Sequence, residues 1–453
     1  MSQAEGRARP VAGARRGWTI ALAAMSLLAL PRAVAASSAE LYGFGPRAIG
    51  LCGAVEADGV GADVGWDNPA LLGRLQSVHV GIGALSLRPF HAIEQLGGAA
   101  TFPAVLPSAV NLGQIAVAAP LGGLFAQRVG VGVQLHIPVD GPSRVLARDP
   151  RTPQVPLYES LADRLLIAGA VGVRPLPWLS LGLQANLLAA LVGNTNFALS
   201  LLRGEIVDQA ISVDLRTRVT FGLSAHVEPS ERLRLGLVWR QRSEVPFSIP
   251  LRADVEELGQ LHFTVAGTGL WAPETLALAG AFDLDPRWRL LASMRWERWS
   301  ALPALGPRVT LSADDAALAA QAGRDPQQLL ALQSQPVPMA AADTVQLRAA
   351  AEWRGRRWLT LRGGLGLRPS PLPRANGTAN YLDAPGMLLG LGASFAQARA
   401  DQPTDDVWAV DIGVGWTHLW RRTALKRDVG DDVGGTSLTG EELRLSIGLR
   451  HSL

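Results

Sequence analysis

The C-terminal stretch Glu441–Leu453 reads EELRLSIGLRHSL and alternates between apolar and polar residues. One side carries Leu443, Leu445, Ile447, Leu449 and Leu453, and the other carries Arg444, Ser446, Gly448, Arg450 and Ser452. A period of two residues is typical of a β-strand whose two faces meet different surroundings. This strand separates an apolar environment from a polar one.

The same alternation recurs at 213–223, 288–297 and 407–420. A soluble β-sandwich would produce it too, because its outer face meets water and its inner face meets the core. The connections favour a membrane barrel, since short periplasmic turns and long extracellular loops alternate in that fold. Short links lie at 122–126, 175–178, 229–232, 285–286, 355–356 and 399–405, and long ones lie at 89–112, 139–162, 193–209, 246–259, 300–342, 370–384 and 421–440.

The sequence therefore predicts an all-β transmembrane antiparallel barrel of about fourteen strands, an even number as bacterial barrels require. Tryptophans near the predicted strand ends agree, because an indole ring suits the interface between lipid and water. A third strand is expected at Val129–Pro138, with a kink because Pro138 has no N–H for a sheet ladder. The loop 300–342 contains Asp314–Gln333, whose composition is helical.

Composition agrees with a barrel. Of the 453 residues, 48% are hydrophobic and 18% charged, and 49 glycines and 30 prolines suit a chain with many turns. Beyond the N-terminus, no run approaches the roughly 18 apolar residues that a membrane helix needs. A membrane protein of this composition would span as a barrel, because only helices and closed barrels satisfy their backbone groups in lipid.

Residues 1–35 are predicted to be a secretory signal peptide, with Trp18–Leu30 as its apolar stretch and Ala33-Val34-Ala35 as its cleavage site. Arg15-Arg16 leaves a twin-arginine signal open as an alternative. Without this segment, 37 basic residues stand against 38 acidic ones, a net charge of −1, and the high pI is no argument for nucleic-acid binding. Cys52 is the only cysteine, so an internal disulfide is excluded.

Residues 36–75 differ from the barrel segment 76–453 because they do not alternate and are rich in glycine. Asn68-Pro69 indicates a turn, since proline moves the residue before it away from helical conformation. A compact segment ahead of a barrel is suited to filling its lumen as a hatch, or plug.

Two parts of the chain carry a family resemblance. The stretch Arg47-Ala48-Ile49-Gly50-Leu51-Cys52-Gly53-Ala54, followed by Asn68-Pro69-Ala70, resembles the N-terminal hatch of the FadL-type outer-membrane transporters of long-chain fatty acids and hydrocarbons. Leu235–Val245 and the segment from Pro273 to Ser300 resemble barrel strands of that family. The sequence departs from the family in its C-terminal Leu453, where an aromatic residue is usual, in its few tyrosines and in its loops.

The resemblance implies a fourteen-stranded barrel plugged by the hatch, with ligand entering through a groove among the loops and leaving sideways through a gap in the wall. It implies hatch or gating roles for Asn68, Pro69, Ala70, Gly50 and Gly53. The function expected is passive transport of long-chain fatty acids or similar hydrophobic molecules in the outer membrane. Two alternatives stay open: a channel for aromatic hydrocarbons, and a barrel that serves as an assembly or secretion partner without a ligand.

Ligand contacts are expected from two groups of residues. Arg240 and Arg242 could meet a substrate carboxylate through charge-assisted hydrogen bonds, or could simply brace the lumen. An apolar entry groove could form from Phe197, Leu199, Leu201, Phe247, Phe263 and Trp271. These apolar residues could equally be rim residues that pack on lipid.

An enzyme is not expected. The seven histidines are scattered singly, and the sequence has no His-Glu-x-x-His motif, no Gly-x-Ser-x-Gly motif and no cysteine pair. The sequence therefore predicts no cofactor and no metal, and its expected partners are a hydrophobic small molecule and outer-membrane lipid. We expect a monomer that binds no nucleic acid.

Overall fold

The computed structural model describes residues 45–97, 102–139, 150–158, 165–200, 205–255, 259–304, 308–313, 337–398, 406–426 and 431–453. The predicted signal peptide, Leu201 and the predicted helical stretch Asp314–Gln333 lie outside these residues. Within them, no helix is long and apolar enough to cross a membrane.

The described part begins with short helical segments: α1 (Pro46–Gly50), a 3₁₀ turn at Gly61–Asp63, α2 (Val64–Asp67) and a 3₁₀ helix at Pro69–Arg74. Seventeen strands follow in the described ranges: β1 (His79–Gln95), β2 (Val110–Pro120), β3 (Val129–Pro138), β4 (Leu166–Leu176), β5 (Leu179–Ser200), β6 (Glu205–Ser230), β7 (Leu233–Arg240), β8 (Ser243–Val255), β9 (Gly259–Ala272), β10 (Glu274–Asp283), β11 (Trp288–Arg298), β12 (Arg308–Ala313), β13 (Thr344–Arg356), β14 (Leu359–Arg368), β15 (Gly386–Ala398), β16 (Asp406–Ala424) and β17 (Thr436–Ser452). Single 3₁₀ turns lie at Gly123–Phe125, Pro156–Tyr158 and Trp299–Ala301.

Fourteen of these strands close into an antiparallel barrel, which confirms the predicted architecture. The ring runs β1 to β7, then β10, β11 and β13 to β17, and it closes where β17 pairs with β1. β3 has the predicted bounds, and it pairs with β2 and β4 without a register shift, so the hydrogen-bonded ladder is continuous on both of its sides.

The remaining strands, β8, β9 and β12, belong to the same sheet and extend it outside the ring of fourteen, from the tip of β5. β8 pairs in parallel with the tip of β5, Thr195–Leu199 against Leu251–Val255. The predictions of long loops at 193–209 and 246–259 are therefore wrong, because most of both segments is strand. Both segments lack a strict alternation. Pro246 lies in β8 at a register shift, a position at which a strand tolerates proline.

The outer surface of the ring is apolar. Leu389 and Leu391 of β15 and Leu445 and Ile447 of β17 are exposed, while the alternate residue Arg444 is buried in the lumen. Aromatic side chains pair near the short-turn end, as in Trp288 with Trp353, Trp358 with Phe395 and Trp408 with His451. An apolar band with such a girdle is typical of a transmembrane barrel of the bacterial outer membrane.

Candidate functional site

The hatch, residues 45–75, lies inside the ring. Helix α1 packs against β14 to β17, and the 3₁₀ helix at Pro69–Arg74 packs against β3 to β6. Almost all of its side chains are buried. The prediction of a lumen-filling segment agrees with this placement, and the bounds 36–75 stay a prediction.

Glycines of the wall let the hatch backbone come close. A Cβ atom on Gly172 of β4 would stand 2.3 Å from the Pro69 carbonyl oxygen, and one on Gly236 of β7 would stand 2.1 Å from the Glu56 carbonyl oxygen. The same kind of contact occurs around the ring at Gly130, Gly182, Gly364, Gly390 and Gly413. Because only glycine leaves this room, the inner wall is shaped for the hatch.

Asn68 fixes the turn of the hatch and is fully buried. Its amide Nδ2 donates to the Glu56 carbonyl oxygen at 2.6 Å, and its Oδ1 accepts from the Ala70 amide at 3.1 Å, which caps the 3₁₀ helix. The Ala70 amide also reaches Ser224 Oγ of β6 at 2.9 Å. Asn68 therefore joins two parts of the hatch beside the wall.

An apolar cluster fills the loop-side half of the lumen. Its floor is Ile49 and Trp66 of the hatch, and its roof is Val155, Tyr158 and Leu382 of the loops. The wall contributes Leu85, Leu87, Val110, Leu112, Leu166, Leu188, Leu419 and Leu438. We call this the upper apolar cluster; it matches the general character of a ligand site, mostly apolar with polar groups at its edge.

Ion pairs border the upper apolar cluster. Arg368 donates to Asp383 Oδ1 at 2.8 Å, and its guanidinium lies 4.9 Å from the centre of the Tyr158 ring. Arg444 donates to Thr417 Oγ1 at 2.7 Å and also bonds to Glu442. Both cations thus have acidic partners inside the protein.

The hatch carboxylate Asp58 binds three arginines. Arg47 Nη2 and Arg289 Nη1 each lie 2.7 Å from its Oδ2, and Arg234 Nη1 lies 3.0 Å from its Oδ1. Burial alone would raise the pKa of Asp58, but Arg289, Arg47 and Arg234 hold it below its usual value. Asp58 is therefore a buried carboxylate that stays ionised.

Two further pairs extend this network. Arg47 also donates to Glu352 Oε2 at 3.1 Å, which ties α1 to β13. Glu56 accepts from Arg295 Nη2 at 2.9 Å, and although burial raises the pKa of Glu56, Arg295 and Arg348 lower it below its usual value. The closed hatch is thus held by charge as well as by backbone contact.

Two other hatch carboxyls behave differently. Burial, together with the nearby Asp411, raises the pKa of Asp63 to about 6, and burial with Asp63 raises the pKa of Asp67 to about 8. Asp63 accepts from Gln114 Nε2 at 2.7 Å, a neutral donor. Near neutral pH, Asp67 therefore favours its protonated form.

Comparison with known proteins gives a result at the level of structure only. No family model matches the sequence, and no curated protein matches it. A FadL homologue from Pseudomonas aeruginosa aligns over 93% of this chain and 99% of its own, with a TM-score of 0.59 at 12% identity. The chain has the FadL-type fold.

Two toluene transporters share this fold with the chain. TbuX from Ralstonia pickettii gives a TM-score of 0.54 at 14% identity, over 91% of this chain and 99% of its own. TodX from P. putida gives 0.54 at 12% identity, over the same shares of each chain. The barrel described above is therefore a fold that these solved structures share.

The structure places the predicted ligand residues in separate surroundings. Arg240 donates to the carbonyl oxygens of Trp66 and Asp67, so it braces the hatch. Arg242 is exposed. Trp271 is buried in a loop-side cluster, where its ring lies 5.1 Å from that of Trp299.

The other predicted groove residues are placed by backbone alone: Phe197 and Leu199 lie on β5, Phe247 on β8 and Phe263 on β9, and the side chains of all four lie outside the description. Their ligand roles stay predictions, as do the gating roles of Asn68, Pro69, Ala70, Gly50 and Gly53. In the described residues, no group of three or more His, Cys, Asp or Glu side chains could hold a metal ion.

The roles of the hatch acids Glu56 and Asp58 and of their partner Arg47 were not predicted from the sequence. Arg289 and Arg295 lie in the alternating segment 288–297, but nothing in the sequence paired them with the hatch. Such pairs join residues more than 200 positions apart, as Arg289 and Asp58 do.

Proposed function

We propose that this chain is an outer-membrane channel for passive uptake of hydrophobic molecules, with long-chain fatty acids as the first substrate class. The upper apolar cluster carries the proposal, because it places buried leucines between the loop side and a hatch that fills the lumen. The similar solved structures, a FadL homologue and two toluene transporters, support the same kind of activity. A lipid bilayer surrounds the barrel, and we expect it to act as a monomer.

Binding energy for an acyl chain would come from burial. Each methylene removed from water contributes about 0.8 kcal/mol, so an apolar site captures a long chain with few polar contacts. Diffusion down the concentration gradient of the solute then moves the molecule, and no nucleotide is needed. Release would follow a local shift of the hatch.

Aromatic hydrocarbons are the second candidate class, and one observation favours them. The cations that border the upper apolar cluster, Arg368 and Arg444, already have carboxylate partners in Asp383 and Glu442. A neutral solute would leave these pairs intact, whereas a fatty acid carboxylate would have to exchange with one of them. No observation favours the assembly or secretion role.

Uptake by cells that carry the protein in their outer membrane tests the proposal. Radiolabelled long-chain fatty acid and radiolabelled toluene would be supplied separately to cells with the wild-type chain, with Asn68→Ala and with the exposed-loop control Asn376→Ala. Asn68→Ala removes the donor of the buried Glu56 carbonyl oxygen and the cap of the 3₁₀ helix at Pro69–Arg74, at a cost of about 1–3 kcal/mol, and so disturbs the floor of the upper apolar cluster.

We expect uptake that depends on the protein, falls with Asn68→Ala and is unchanged with Asn376→Ala. The preferred solute identifies the substrate class. Absence of uptake of both solutes by a folded wild-type barrel would refute the transport function.

A further inference from the structure

The charges of the hatch and of the wall around it have opposite signs. The hatch, residues 45–75, has four acidic residues, Glu56, Asp58, Asp63 and Asp67, and two basic residues, Arg47 and Arg74. The described wall contacts the hatch through five arginines: Arg234, Arg240, Arg289, Arg295 and Arg348. Two acidic residues of the described wall also pair with the hatch: Glu352 binds Arg47, and Glu228 binds Arg74.

Three of these arginines bind hatch carboxylates directly. Arg234 and Arg289 hold Asp58 from β7 and β11, and Arg295 holds Glu56 from β11. Both carboxylates are nearly inaccessible to solvent, at 6% for Asp58 and 1% for Glu56. Carboxylate and guanidinium groups pair through charge-assisted hydrogen bonds, and the pairing does not depend on which molecule supplies the carboxylate.

Movement of the hatch would change the balance of charge on this wall. Arg234 and Arg289 would keep Asp283, whose oxygens lie close to both guanidiniums, and Arg289 would also keep Glu352, 4.0 Å from its Nη1. Arg295 would lose Glu56. A lumen that is neutralised by the hatch when closed therefore becomes cationic when open.

We propose that Arg234, Arg289 and Arg295 form a carboxylate-binding site in the lower lumen. Asp58 and Glu56 occupy it while the hatch is closed, and a carboxylate of a permeating molecule occupies it when the hatch moves. The hatch carboxylates then compete with the carboxylate of the permeating molecule for the same three arginines. The inference rests on the proposed transport function for its biological meaning, but the site itself can be tested without transport.

Chemical rescue in the purified full-length protein tests the site. Asp58→Ala leaves Arg234 and Arg289 with a vacated carboxylate position, so we expect a lower melting temperature than that of the wild type. About 0.1 M sodium acetate should restore at least half of the loss, whereas sodium chloride at the same concentration controls for screening. Acetamide, which has nearly the same shape without the charge, should restore nothing.

Asp63→Ala is the matched control, because Asp63 is a buried hatch carboxyl whose hydrogen-bond donor is the amide of Gln114 rather than an arginine. Rescue by acetate in Asp58→Ala alone supports the proposal. An equal response to acetate, acetamide and chloride, or the same acetate response in Asp63→Ala, overturns it.

Ion selectivity provides a second test if Asp58→Ala does not fold. Asp58→Asn keeps the side-chain volume, and in planar bilayers under a potassium chloride gradient we expect its current to favour chloride. Adding Arg289→Gln should shift the reversal potential toward zero. A closed, unselective or cation-selective Asp58→Asn barrel overturns the proposal. Neither test measures uptake of apolar molecules, so a negative result in either one does not contradict the transport function.

Discussion

Gly364 of β14 offers a direct way to loosen the hatch from the wall. A Cβ atom there would stand 2.6 Å from the carbonyl carbon of Leu51 and 3.0 Å from the Cys52 amide nitrogen. Real Cβ contacts keep at least 3.0 Å, so Gly364→Ala forces the Leu51 carbonyl to withdraw by about 0.4 Å. The turn resists this shift, because Cys52 is in left-handed conformation at φ 51° and the Gly53 amide is bonded to Ala48.

Overpacking of this kind costs about 1–3 kcal/mol. If the cost falls on the closed hatch, the open population rises roughly 5- to 150-fold. The barrel itself should not weaken, since alanine loses less backbone entropy than glycine in a strand. The adjacent Gly363 is the matched control, because a Cβ atom there meets nothing closer than 3.9 Å.

Cys52, the only cysteine of the chain, reports the opening. It is 3% exposed, and burial raises the pKa of its thiol to about 11, although Arg348 and Arg444 partly oppose this. The closed thiol is thus unreactive, whereas an exposed thiol has a pKa of about 8.5 and reacts with maleimide. We expect Gly364→Ala to label roughly 5- to 150-fold faster than the wild type. Equal rates for Gly364→Ala, Gly363→Ala and wild type would show that the glycine contact does not control the hatch.

Two further outcomes are expected. The pKa of Asp67 is raised by burial to about 8, so the docked hatch keeps a proton that a released carboxyl loses near pH 4. Asp63, whose pKa is raised to about 6, acts in the same direction at lower pH. Docking should therefore weaken as pH rises from about 4 to about 8, and hydrogen exchange of residues 64–74, corrected for intrinsic rates, should increase over that range. In Asp67→Asn the increase between about pH 6 and about pH 8 should disappear, and a flat wild-type profile would contradict this. Leu391→Arg on the outer face of β15 should lower the free energy of unfolding of the barrel in lipid vesicles by about 2–4 kcal/mol, measured by urea unfolding. Leu425→Arg, beyond the end of β16, should lower it little, and equal losses for the two variants would contradict the assignment of the lipid face.

The barrel could be predicted from the sequence because the bilayer imposes a period of two on every strand that crosses it. Leu445 and Ile447 face lipid and Arg444 and Ser446 face the lumen, as the pattern of the last strand indicates. Most of β8 was predicted as a loop because it lies beyond the ring, where no bilayer enforces alternation. Its pairing with the tip of β5 depends on contacts between distant parts of the chain.

The site was predicted less completely. Asn68-Pro69 identified the turn of the hatch, and Asn68 proves to be its buried cap. The apolar groove residues and the two arginines, Arg240 and Arg242, were grouped by type alone, and the structure separates Arg240 from Trp271. Arginine and carboxylate partners cannot be matched from one sequence, since Arg47 and Glu352 are 305 positions apart.

The way in which the hatch is held suits a plug that must open. Exposing the surface of an apolar plug to water would cost about 25 cal/mol of free energy for each Å², so opening would be opposed in proportion to the whole buried area. Ion pairs such as Arg289–Asp58 and bonds to carbonyls such as that of Gly53 exchange for bonds to water with a small net change. Water can therefore replace the polar contacts of the hatch at little cost. The apolar clusters that join the hatch to the wall, such as the one of Leu51 with Leu291 and the one of Leu72 with Ala118, oppose opening in proportion to the area they bury.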